Sequence, residues 1–331
     1  MNKIVVMPVR NEAWILPHTL PMLTQFADHI IVADQKSTDA TRTILNRFPK
    51  VRVIENPATY HSSNVRKLLL AEARTIPGLN AIFSFDADEL PTATILSKEF
   101  RHMLETSAPG TSFALEWVQL WRSTHYYRND NSVWTNNWKH FGFIDDRQAN
   151  YDTLHVINDH THRIPAACLA NAQRVDTVKV LHYQFVDFAR MLAKQRLYRL
   201  TEFLQRPGNP RRKSFTINAL YIDAKNEHGL KRRPVPTAWT RDHENEYHFM
   251  EAPQPTSATW YETEATRLLQ QCAPRDLQWL DIWDTPWSGI PDPRSWTAKA
   301  YHASYLRACY LVYSLKFLAR IILRRTRTPI S

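Results

Sequence analysis

Short apolar runs alternate with amphipathic stretches along the first part of the chain. The apolar runs are rich in β-branched residues, which is typical of buried strands, and the amphipathic stretches carry their apolar residues at helical spacing. The predicted strands are residues 3–9, 29–33, 51–55 and 81–85, and the predicted helices are residues 11–26, 38–48 and 63–74. Strands that alternate with helices favour a parallel α/β sheet, whose ligands bind beyond the carboxyl ends of the strands.

The pattern changes after this region. Residues 111–151 are dense in aromatic side chains, residues 174–186 form a further predicted strand, and residues 188–204 form a charged amphipathic helix. Residues 206–297 contain basic, proline-containing loops and a stretch rich in Pro and Trp. Residues 300–325 have the pattern of a final helix. We therefore expect an α/β domain followed by a mainly helical extension.

The composition excludes several classes of protein. Of the 331 residues, 44% are hydrophobic and 22% are charged, as in globular proteins. Only 6 are glycine, and the sequence has neither a Rossmann nor a P-loop glycine motif. The 3 cysteines are far apart, which argues against a disulfide framework and favours a reduced, cytosolic compartment. We expect no signal peptide and no membrane-spanning segment, because no run approaches about 20 apolar residues.

The formal net charge of +10 is concentrated near the carboxyl terminus. Residues 301–331 contain 6 arginines and lysines and no acidic residue. Lys316, Arg320 and Arg324 recur at every fourth position of a helix that is otherwise strongly apolar. Such a helix is typical of a membrane interface, and we expect it to bind the inner face of the cell membrane. The alternative is a core helix with a snorkelling basic edge.

Asp86 and Asp88 are the sharpest chemical signal. They stand at i and i+2 directly after the fourth predicted strand. Mg²⁺ and Mn²⁺ prefer oxygen ligands, and Mg²⁺ commonly takes one or two carboxylates together with substrate phosphates. Asn11, Glu12 and Asp34 follow the first two predicted strands, and several acidic residues at one edge favour a bound cation or ligand. The ordinary alternative is a solvated acidic turn or a helix N-cap.

Four sequence blocks resemble the family 2 glycosyltransferases, which have the GT-A fold. The blocks are PVRNE at 8–12, IVADQKSTDAT at 31–41, FDADE at 85–89 and VLHYQ at 180–184. The Asp-Ala-Asp-Glu block looks most like the branch that includes lipopolysaccharide core glycosyltransferases. This chain departs from the family at Gln35, where Asp is usual, and at Lys36, where Gly is usual.

The resemblance implies a fold, a domain organisation and a reaction. The implied fold is a GT-A mixed α/β sheet with helices on both faces and a mainly helical carboxyl-terminal extension. The implied regions are a GT-A-like domain at 1–205, an extension at 206–297 and a basic amphipathic helix at 298–331. The implied reaction is inverting transfer of a sugar from a nucleotide-sugar donor, with Mg²⁺ or Mn²⁺, to a glycan or lipid-linked acceptor. Such a reaction belongs to bacterial surface polysaccharide or lipopolysaccharide synthesis.

The resemblance also implies roles for single residues. Asp88 is the main metal ligand, Asp86 approaches the ribose or the metal, and His182 faces the diphosphate or the metal. Lys194 and Arg196 steady the leaving group. The residues expected to bind the donor are Pro8, Arg10, Asn11, Glu12, Asp34, Arg66, Asp86, Lys194 and Arg196.

An inverting transfer needs a general base that removes the proton of the acceptor hydroxyl. Asp145, Asp146 and Asp159 are the candidates between the acidic block and His182. Asp159 is favoured because it stands where the family has a His-Glu pair, and Asp146 comes next. The alternative for each is a surface carboxylate in an ion pair. Aromatic residues between 117 and 143 are expected to line an acceptor site or to pack in the core.

Three other functions compete with this interpretation. His155, His160 and His162 suit a zinc hydrolase, although the HExxH pattern is absent. A metal-dependent nucleotidyltransferase uses the same kind of sheet, but the expected Gly- and Lys-rich loop is missing near the amino terminus. A nucleic-acid-binding module explains the basic tail but not the acidic strand ends, so we expect no nucleic-acid partner. The favoured interpretation is a glycosyltransferase on the cytoplasmic face of a membrane.

Overall fold

A computed structural model describes residues 1–58, 64–151, 163–227, 229–249, 259–305, 311 and 315 of the protein. The chain folds into two compact units. The first unit contains Met1–Tyr127, Asn136–Val186 and the described part of Arg233–Glu251. The second unit contains Arg128–Thr135, Asp187–Arg232 and the described residues that follow Ala252.

The strands of the first part of the chain follow the apolar runs. The strands predicted at 3–9, 29–33, 51–55 and 81–85 are confirmed within one residue at each end. The strands of the described residues are β1 (Asn2–Val9), β2 (His29–Asp34), β3 (Val51–Glu55), β4 (Asn80–Ser84), β5 (Glu89–Pro91), β6 (Ser112–Gln119), β7 (Tyr126–Arg128), β8 (Trp138–Ile144), β9 (Ala172–His182) and β10 (Arg232–Pro234).

The helices follow the amphipathic stretches, with shorter ends. The first helix begins at Leu16, and Pro17 fits its first turn, where a backbone N–H has no partner within the helix. The α-helices of the described residues are α1 (Leu16–Phe26), α2 (Thr41–Leu45), α3 (Asn64–Ala73), α4 (Lys98–Thr106), α5 (Phe188–Gln205), α6 (Pro210–Tyr221), α7 (Thr237–Thr240), α8 (Glu244–Tyr247) and α9 (Trp260–Leu269). Short 3-10 helices comprise Ala93–Leu96, Ala166–Asn171, Ile222–Lys225 and Pro274–Leu277.

Eight strands of the first unit form one mixed sheet in the order β3-β2-β1-β4-β8-β6-β9-β5. β1 to β4 are parallel, β8 runs antiparallel to both β4 and β6, and β9 runs parallel to β6. The carboxyl ends of β1, β2, β4, β6 and β9 therefore meet at one edge of the sheet, which we call the carboxyl edge. The amino end of β8 lies at the carboxyl edge, and its carboxyl end lies at the opposite edge.

Helices cover both faces of this sheet. On one face, Leu20 of α1 packs in a core that includes Val5 and Phe83. On the other face, Leu69 of α3 packs in a cluster with Ile4. Ile4 and Val5 reach different clusters because successive residues of a strand point to opposite faces. The predicted mixed α/β sheet with helices on both faces is confirmed.

Gly142 in β8 lies against the ring of Phe83 in the neighbouring β4. A Cβ atom at position 142 would stand 2.5 Å from both Cδ1 and Cε1 of that ring. Phe83 is fully buried, and its ring centroid lies 6.1 Å from those of both Phe85 and Phe113. Because the ring is held in this stack, the close approach of the strand requires a glycine.

The second unit is mainly helical. Leu200 and Phe203 of α5 pack with Ile217 of α6 and Leu268 of α9 in one apolar cluster. The prediction places a boundary at 205, whereas the second unit already includes Asp187 and the whole of α5. The difference arises because the apolar side chains of α5 pack within the helical cluster of this unit.

The final predicted helix is described in part. Residues 296–305, 311 and 315 are helical, and the other residues of the predicted helix lie outside the described part of the chain. Trp296, Leu311 and Leu315 are 81%, 67% and 65% exposed. Across the described residues, we find no helix with the length and apolar character that a membrane crossing needs.

Candidate active site

Hydrogen bonds join the loops that follow β1 and β2. Oδ1 of Asn11 accepts from the Thr38 backbone N–H at 2.7 Å, and the Asn11 N–H donates to Ser37 Oγ at 2.9 Å. The Glu12 N–H donates to Thr41 Oγ1 at 2.8 Å. These contacts hold the loop after β1 at the carboxyl edge, where the sequence predicts donor binding.

Asp34 ends β2 and is fully buried. Its carboxylate accepts from Arg42 Nε at 2.5 Å and from the Ser37 N–H at 3.3 Å. Arg42 also pairs with Glu55 at the end of β3. The predicted donor-binding carboxylate therefore stands at the carboxyl edge and already has an arginine bound to it.

Asp86 follows β4 and lies between two guanidinium groups. Arg66 of α3 donates to Asp86 Oδ1 at 3.2 Å, and Arg163 donates to Asp86 Oδ2 at 2.9 Å. Arg66 also donates to Ser84 Oγ at 2.5 Å. The structure thus brings Arg66 to the acidic turn, and it engages both oxygens of Asp86 with arginines.

Glu89 closes the acidic turn and is fully buried. Its Oε1 and Oε2 accept from Arg163 at 2.6 and 2.7 Å, and Oε2 also accepts from the Asp86 N–H at 2.8 Å. Burial raises the pKa of Glu89, and the charge of Arg163 opposes that rise. Burial lowers the pKa of Arg163, but Asp86 and Glu89 together raise it above its ordinary value. This paired network fixes the shape of the turn.

Asp88 and His182 approach each other at the carboxyl edge. Asp88 Oδ2 lies 3.5 Å from His182 Nε2, and both residues are buried. The Tyr183 N–H donates to the Asp88 carbonyl at 2.8 Å, which joins the two segments. His182 Nδ1 lies 2.7 Å from Gln119 Oε1 at the end of β6. A proton on Nδ1 satisfies this contact and leaves the lone pair of Nε2 facing a carboxylate.

In the neutral ring, Nε2 of His182 and Oδ2 of Asp88 both accept, and a cation between the two atoms would satisfy both. Cis ligands at about 2.1 Å from one metal ion are about 3 Å apart, which is close to the observed separation of Asp88 and His182. Gln119 is the kind of outer partner that orients a metal-binding histidine. The pair therefore fits a divalent cation. Within the described ranges, no group of three His, Cys, Asp or Glu side chains is arranged around a metal position.

Trp117 and Lys139 complete this part of the carboxyl edge. The rings of Trp117 and His182 stack with centroids 4.4 Å apart. Lys139 Nζ lies 3.3 Å from the centroid of the same indole. Burial, and after it the charge of Arg163, lowers the pKa of Lys139 to about 8. Of the other aromatic residues that the sequence singles out, Trp121, Phe141 and Phe143 are buried in the core.

Asp146 lies at the opposite edge of the sheet from Asp88. It follows the carboxyl end of β8, where the Asp145 N–H donates to the carbonyl of Asn80, the first residue of β4. Its carboxylate accepts from the Ala149 N–H at 2.9 Å. The prediction of Asp146 as a base is corrected by this placement, because β8 runs antiparallel to β4 and carries Asp146 away from the site.

The remaining predicted residues fall into three groups. Pro8 and Arg10 stand at the end of β1, where Pro8 pairs with Ala33 of β2. Lys194 and Arg196 belong to α5 of the second unit, where Arg196 donates to Asp284 Oδ1 at 2.7 Å. The predicted residues that lie outside the described part of the chain are Asp159, His155, His160 and His162.

Gln119, Lys139 and Arg163 belong to no motif of the sequence that predicts a site residue. Gln119 could have been found from the strand pattern over 112–119, because the alternation of side chains along a strand places Trp117 and Gln119 on one face. The direction of β8, which brings Lys139 to the carboxyl edge, has no local signal. Arg163 is 74 residues away from Glu89 along the chain, and no spacing rule links the two.

The loops and the acidic turn just described belong to one continuous segment from β1 to Arg163. Residues 4–163 match the model of glycosyl transferase family 2. The family 2 segment is just under half of the chain, and it contains Asp34, Asp86 and Asp88. The match supports a nucleotide-sugar glycosyltransferase, and together with the mixed sheet it confirms the predicted GT-A fold class.

Several solved structures are similar to this protein. TarS 1–349 from S. aureus is 13% identical, with a TM-score of 0.39, over 84% of this chain and 82% of that chain. Glucosyl-3-phosphoglycerate synthase from Mycobacterium tuberculosis, crystallised with Mn²⁺ and UDP, is 17% identical, with a TM-score of 0.25, over 36% of this chain and 44% of that chain. At these identities and TM-scores the likenesses carry no argument about function. No curated protein matches the sequence.

Proposed function

We propose that the protein is an inverting glycosyltransferase that moves a sugar from a nucleotide-diphosphate donor to a hydroxyl of a glycan or lipid-linked acceptor. The observation that carries the proposal is the buried pair of Asp88 Oδ2 and His182 Nε2, 3.5 Å apart at the carboxyl edge. Ligands of parallel α/β sheets bind at this edge. We assign the reaction to bacterial surface polysaccharide or lipopolysaccharide synthesis, because the Asp-Ala-Asp-Glu block resembles that branch of the family.

Asp88 and His182 are the residues that would hold the divalent ion. When bound, Mg²⁺ or Mn²⁺ offsets the negative charge of the departing diphosphate. Mg²⁺ favours an all-oxygen shell, so the imidazole nitrogen of His182 favours Mn²⁺. Asp86 has a different part in this proposal: it positions Arg66 and Arg163, whose guanidinium groups suit the oxygens of a phosphate.

The loop after β1 is the proposed seat of the nucleoside. Asn11 and Glu12 are held there by hydrogen bonds from and to the loop after β2, so the backbone is fixed before a ligand arrives. Asp34 supports that loop through Ser37 and Arg42. The roles of Lys194 and Arg196 at the leaving group stay predictions.

A thermal-shift panel tests the proposed function. The protein is heated with UDP, GDP, dTDP or CMP, each with Mn²⁺, Mg²⁺ or EDTA. We expect one nucleotide to stabilise the protein in a metal-dependent way, and a ligand at 100 times its Kd adds about 2.7 kcal/mol. Asp88→Ala should abolish the shift. Asp176→Ala, which removes an exposed carboxylate of β9, is the matched control and should retain it. A flat panel would remove the main support for the proposal.

Asp159 is the proposed general base. It would take the proton of the acceptor hydroxyl as that oxygen attacks the anomeric carbon. Asp159→Asn should lower turnover about 10²- to 10⁴-fold and leave the Kd of the nucleotide unchanged, since the base acts after the donor is bound. Asp176→Asn is the control. Turnover of Asp159→Asn at the wild-type level would place the base elsewhere.

The carboxyl-terminal helix is proposed to hold the protein on the cytoplasmic face of a membrane. Leu311 and Leu315 are exposed apolar residues four positions apart, and the sequence around them carries six basic residues and no acid over 301–331. In sedimentation with anionic-lipid vesicles, the double variant Leu311→Glu, Leu315→Glu should stay in the supernatant. Leu220→Glu changes an exposed leucine of α6 and should sediment like the wild type. Equal sedimentation of both variants would exclude the helix as the anchor.

A further inference from the structure

Lys139 carries a buried ammonium group that is not paired with a carboxylate of the described residues. The side chain is largely buried, and Nζ rests 3.3 Å from the centroid of the Trp117 indole. Within the part of the chain that the structure describes, no carboxylate lies within 4.0 Å of Nζ. An ammonium group has three N–H donors, and the face of an indole satisfies few of them. The remaining donors are available to a ligand.

Lys139 and the Asp88–His182 pair are connected through one ring. Trp117 lies on β6, between β8, which supplies Lys139, and β9, which supplies His182. The indole stacks on His182 at 4.4 Å and contacts the Lys139 ammonium at 3.3 Å. The ammonium is therefore held one aromatic ring away from the position proposed for the metal.

Among the described residues, and with a divalent ion on Asp88, the positive charges at this part of the edge outnumber the negative ones. Arg66, Arg163 and Lys139 are cationic, whereas Asp86 and Glu89 are anionic. A divalent ion on Asp88 would leave one further positive charge. The excess then matches the two negative charges of a diphosphate that is esterified at both ends. Burial and the charge of Arg163 lower the pKa of Lys139, and the charges of Glu89 and Asp86 oppose this only in part.

We propose that Lys139 binds the diphosphate of the nucleotide donor and determines the preference for that group. This inference rests on the proposed function. Burying an ammonium without a carboxylate is unfavourable for folding, so a purely structural role does not account for it. A ligand with negatively charged oxygens would accept its hydrogen bonds and gain the short charge-assisted contacts that such pairs make.

Binding of a nucleoside diphosphate and of its nucleoside distinguishes this role. Calorimetry measures the affinity for whichever of UDP, GDP and dTDP binds best with Mn²⁺. Ligand-observed NMR measures the affinity for the matching nucleoside. Lys139→Met should weaken the diphosphate about 10- to 100-fold, the range for one charged hydrogen bond, and leave the nucleoside unchanged. Lys139→Arg should recover most of the affinity, because it restores the charge.

Lys179→Met is the matched control. Lys179 lies on β9, and its ammonium already pairs with Glu116 at 2.8 Å, so the variant should bind the diphosphate as the wild type does. A diphosphate affinity of Lys139→Met within twofold of the wild type overturns the inference, and so does an equal loss for the nucleoside. If the wild type binds no nucleoside diphosphate, the proposed function fails as well. If the wild type binds the nucleoside diphosphate and Lys139→Met binds it equally well, only the inference about Lys139 fails.

Discussion

A buried carboxylate at the opposite edge of the sheet and a buried ammonium at the carboxyl edge differ in the partners that the described residues give them. At the opposite edge, the buried carboxylate of Asp145 accepts from Arg74 Nε at 3.0 Å and Nη2 at 2.8 Å, and Arg74 also donates to the carbonyl of Ala149. At the carboxyl edge, the ammonium of Lys139 rests on the indole of Trp117, and no carboxylate of the described residues lies within 4.0 Å of it. A buried ammonium with no carboxylate partner among the described residues therefore marks the carboxyl edge as the one that receives a ligand.

Asp145→Ala should produce the largest change in stability. The side chain is fully buried, and removal of one partner of a buried ion pair costs about 3–5 kcal/mol. Chemical denaturation should show a loss in this range, while the folded variant keeps the metal-dependent nucleotide binding of the wild type. If Asp145→Ala kept the wild-type stability and lost nucleotide binding, the opposite edge would be the one that receives the ligand.

Gln119→Leu should weaken Mn²⁺ binding about 10- to 100-fold, because outer partners of metal-binding histidines have effects of this size. The expected reason is that His182 Nδ1 loses its acceptor and the ring is no longer oriented. Calorimetric titration of Mn²⁺ in the presence of nucleotide measures the change. Gln119→Glu keeps an acceptor at the same place and should bind Mn²⁺ better than Gln119→Leu. Equal affinities of wild type and Gln119→Leu would separate His182 from the metal.

Asp146→Ala should cost about 1 kcal/mol of stability and change turnover less than twofold. A hydrogen bond from the Ala149 N–H is the main cause that lowers the pKa of Asp146. The group therefore stabilises the fold above its ordinary pKa, and this contribution disappears as the pH falls through the lowered value. Urea denaturation of both proteins at falling pH should show the difference shrink. A large loss of turnover would restore Asp146 as a candidate base.

Lys139→Met should have the smallest effect, a melting temperature at pH 7 equal to or slightly above that of the wild type. The folded protein holds the pKa of Lys139 at about 8, below the ordinary 10.5. Between these two pH values the unfolded chain binds more protons than the folded protein. The wild type therefore becomes more stable relative to the variant as the pH rises. Scanning calorimetry from pH 7 to 10 follows this trend. A constant difference across the range would contradict the desolvation of Lys139.

The sequence predicts most of the carboxyl edge and little of what surrounds it. The first four strands are apolar runs flanked by helices, and their parallel order follows from that alternation, which brings Asn11, Asp34 and Asp88 to one edge. The direction of β8 has no such signal, because a short strand in an aromatic-rich segment reads the same in either orientation. For this reason the sequence suggests Asp146 as a site residue and gives no indication of Lys139.

Arg163 illustrates a second limit of prediction from sequence. The acidic block is visible as a motif, but the cation that neutralises Asp86 and Glu89 comes from the far end of the family 2 segment. Pairing of this kind depends on how distant segments fold back onto each other. Local propensity and spacing contain no information about it.

The contact between Gly142 and Phe83 limits the order in which substitutions can accumulate in this sequence. Lys139 at the carboxyl edge can change without a second substitution, because its loss removes an unfavourable burial of charge. At position 142 there is room for a hydrogen atom and nothing larger, so any other residue requires a smaller one at position 83 beforehand. A sequence that loses the activity is thus expected to change at Lys139 before it changes at Gly142.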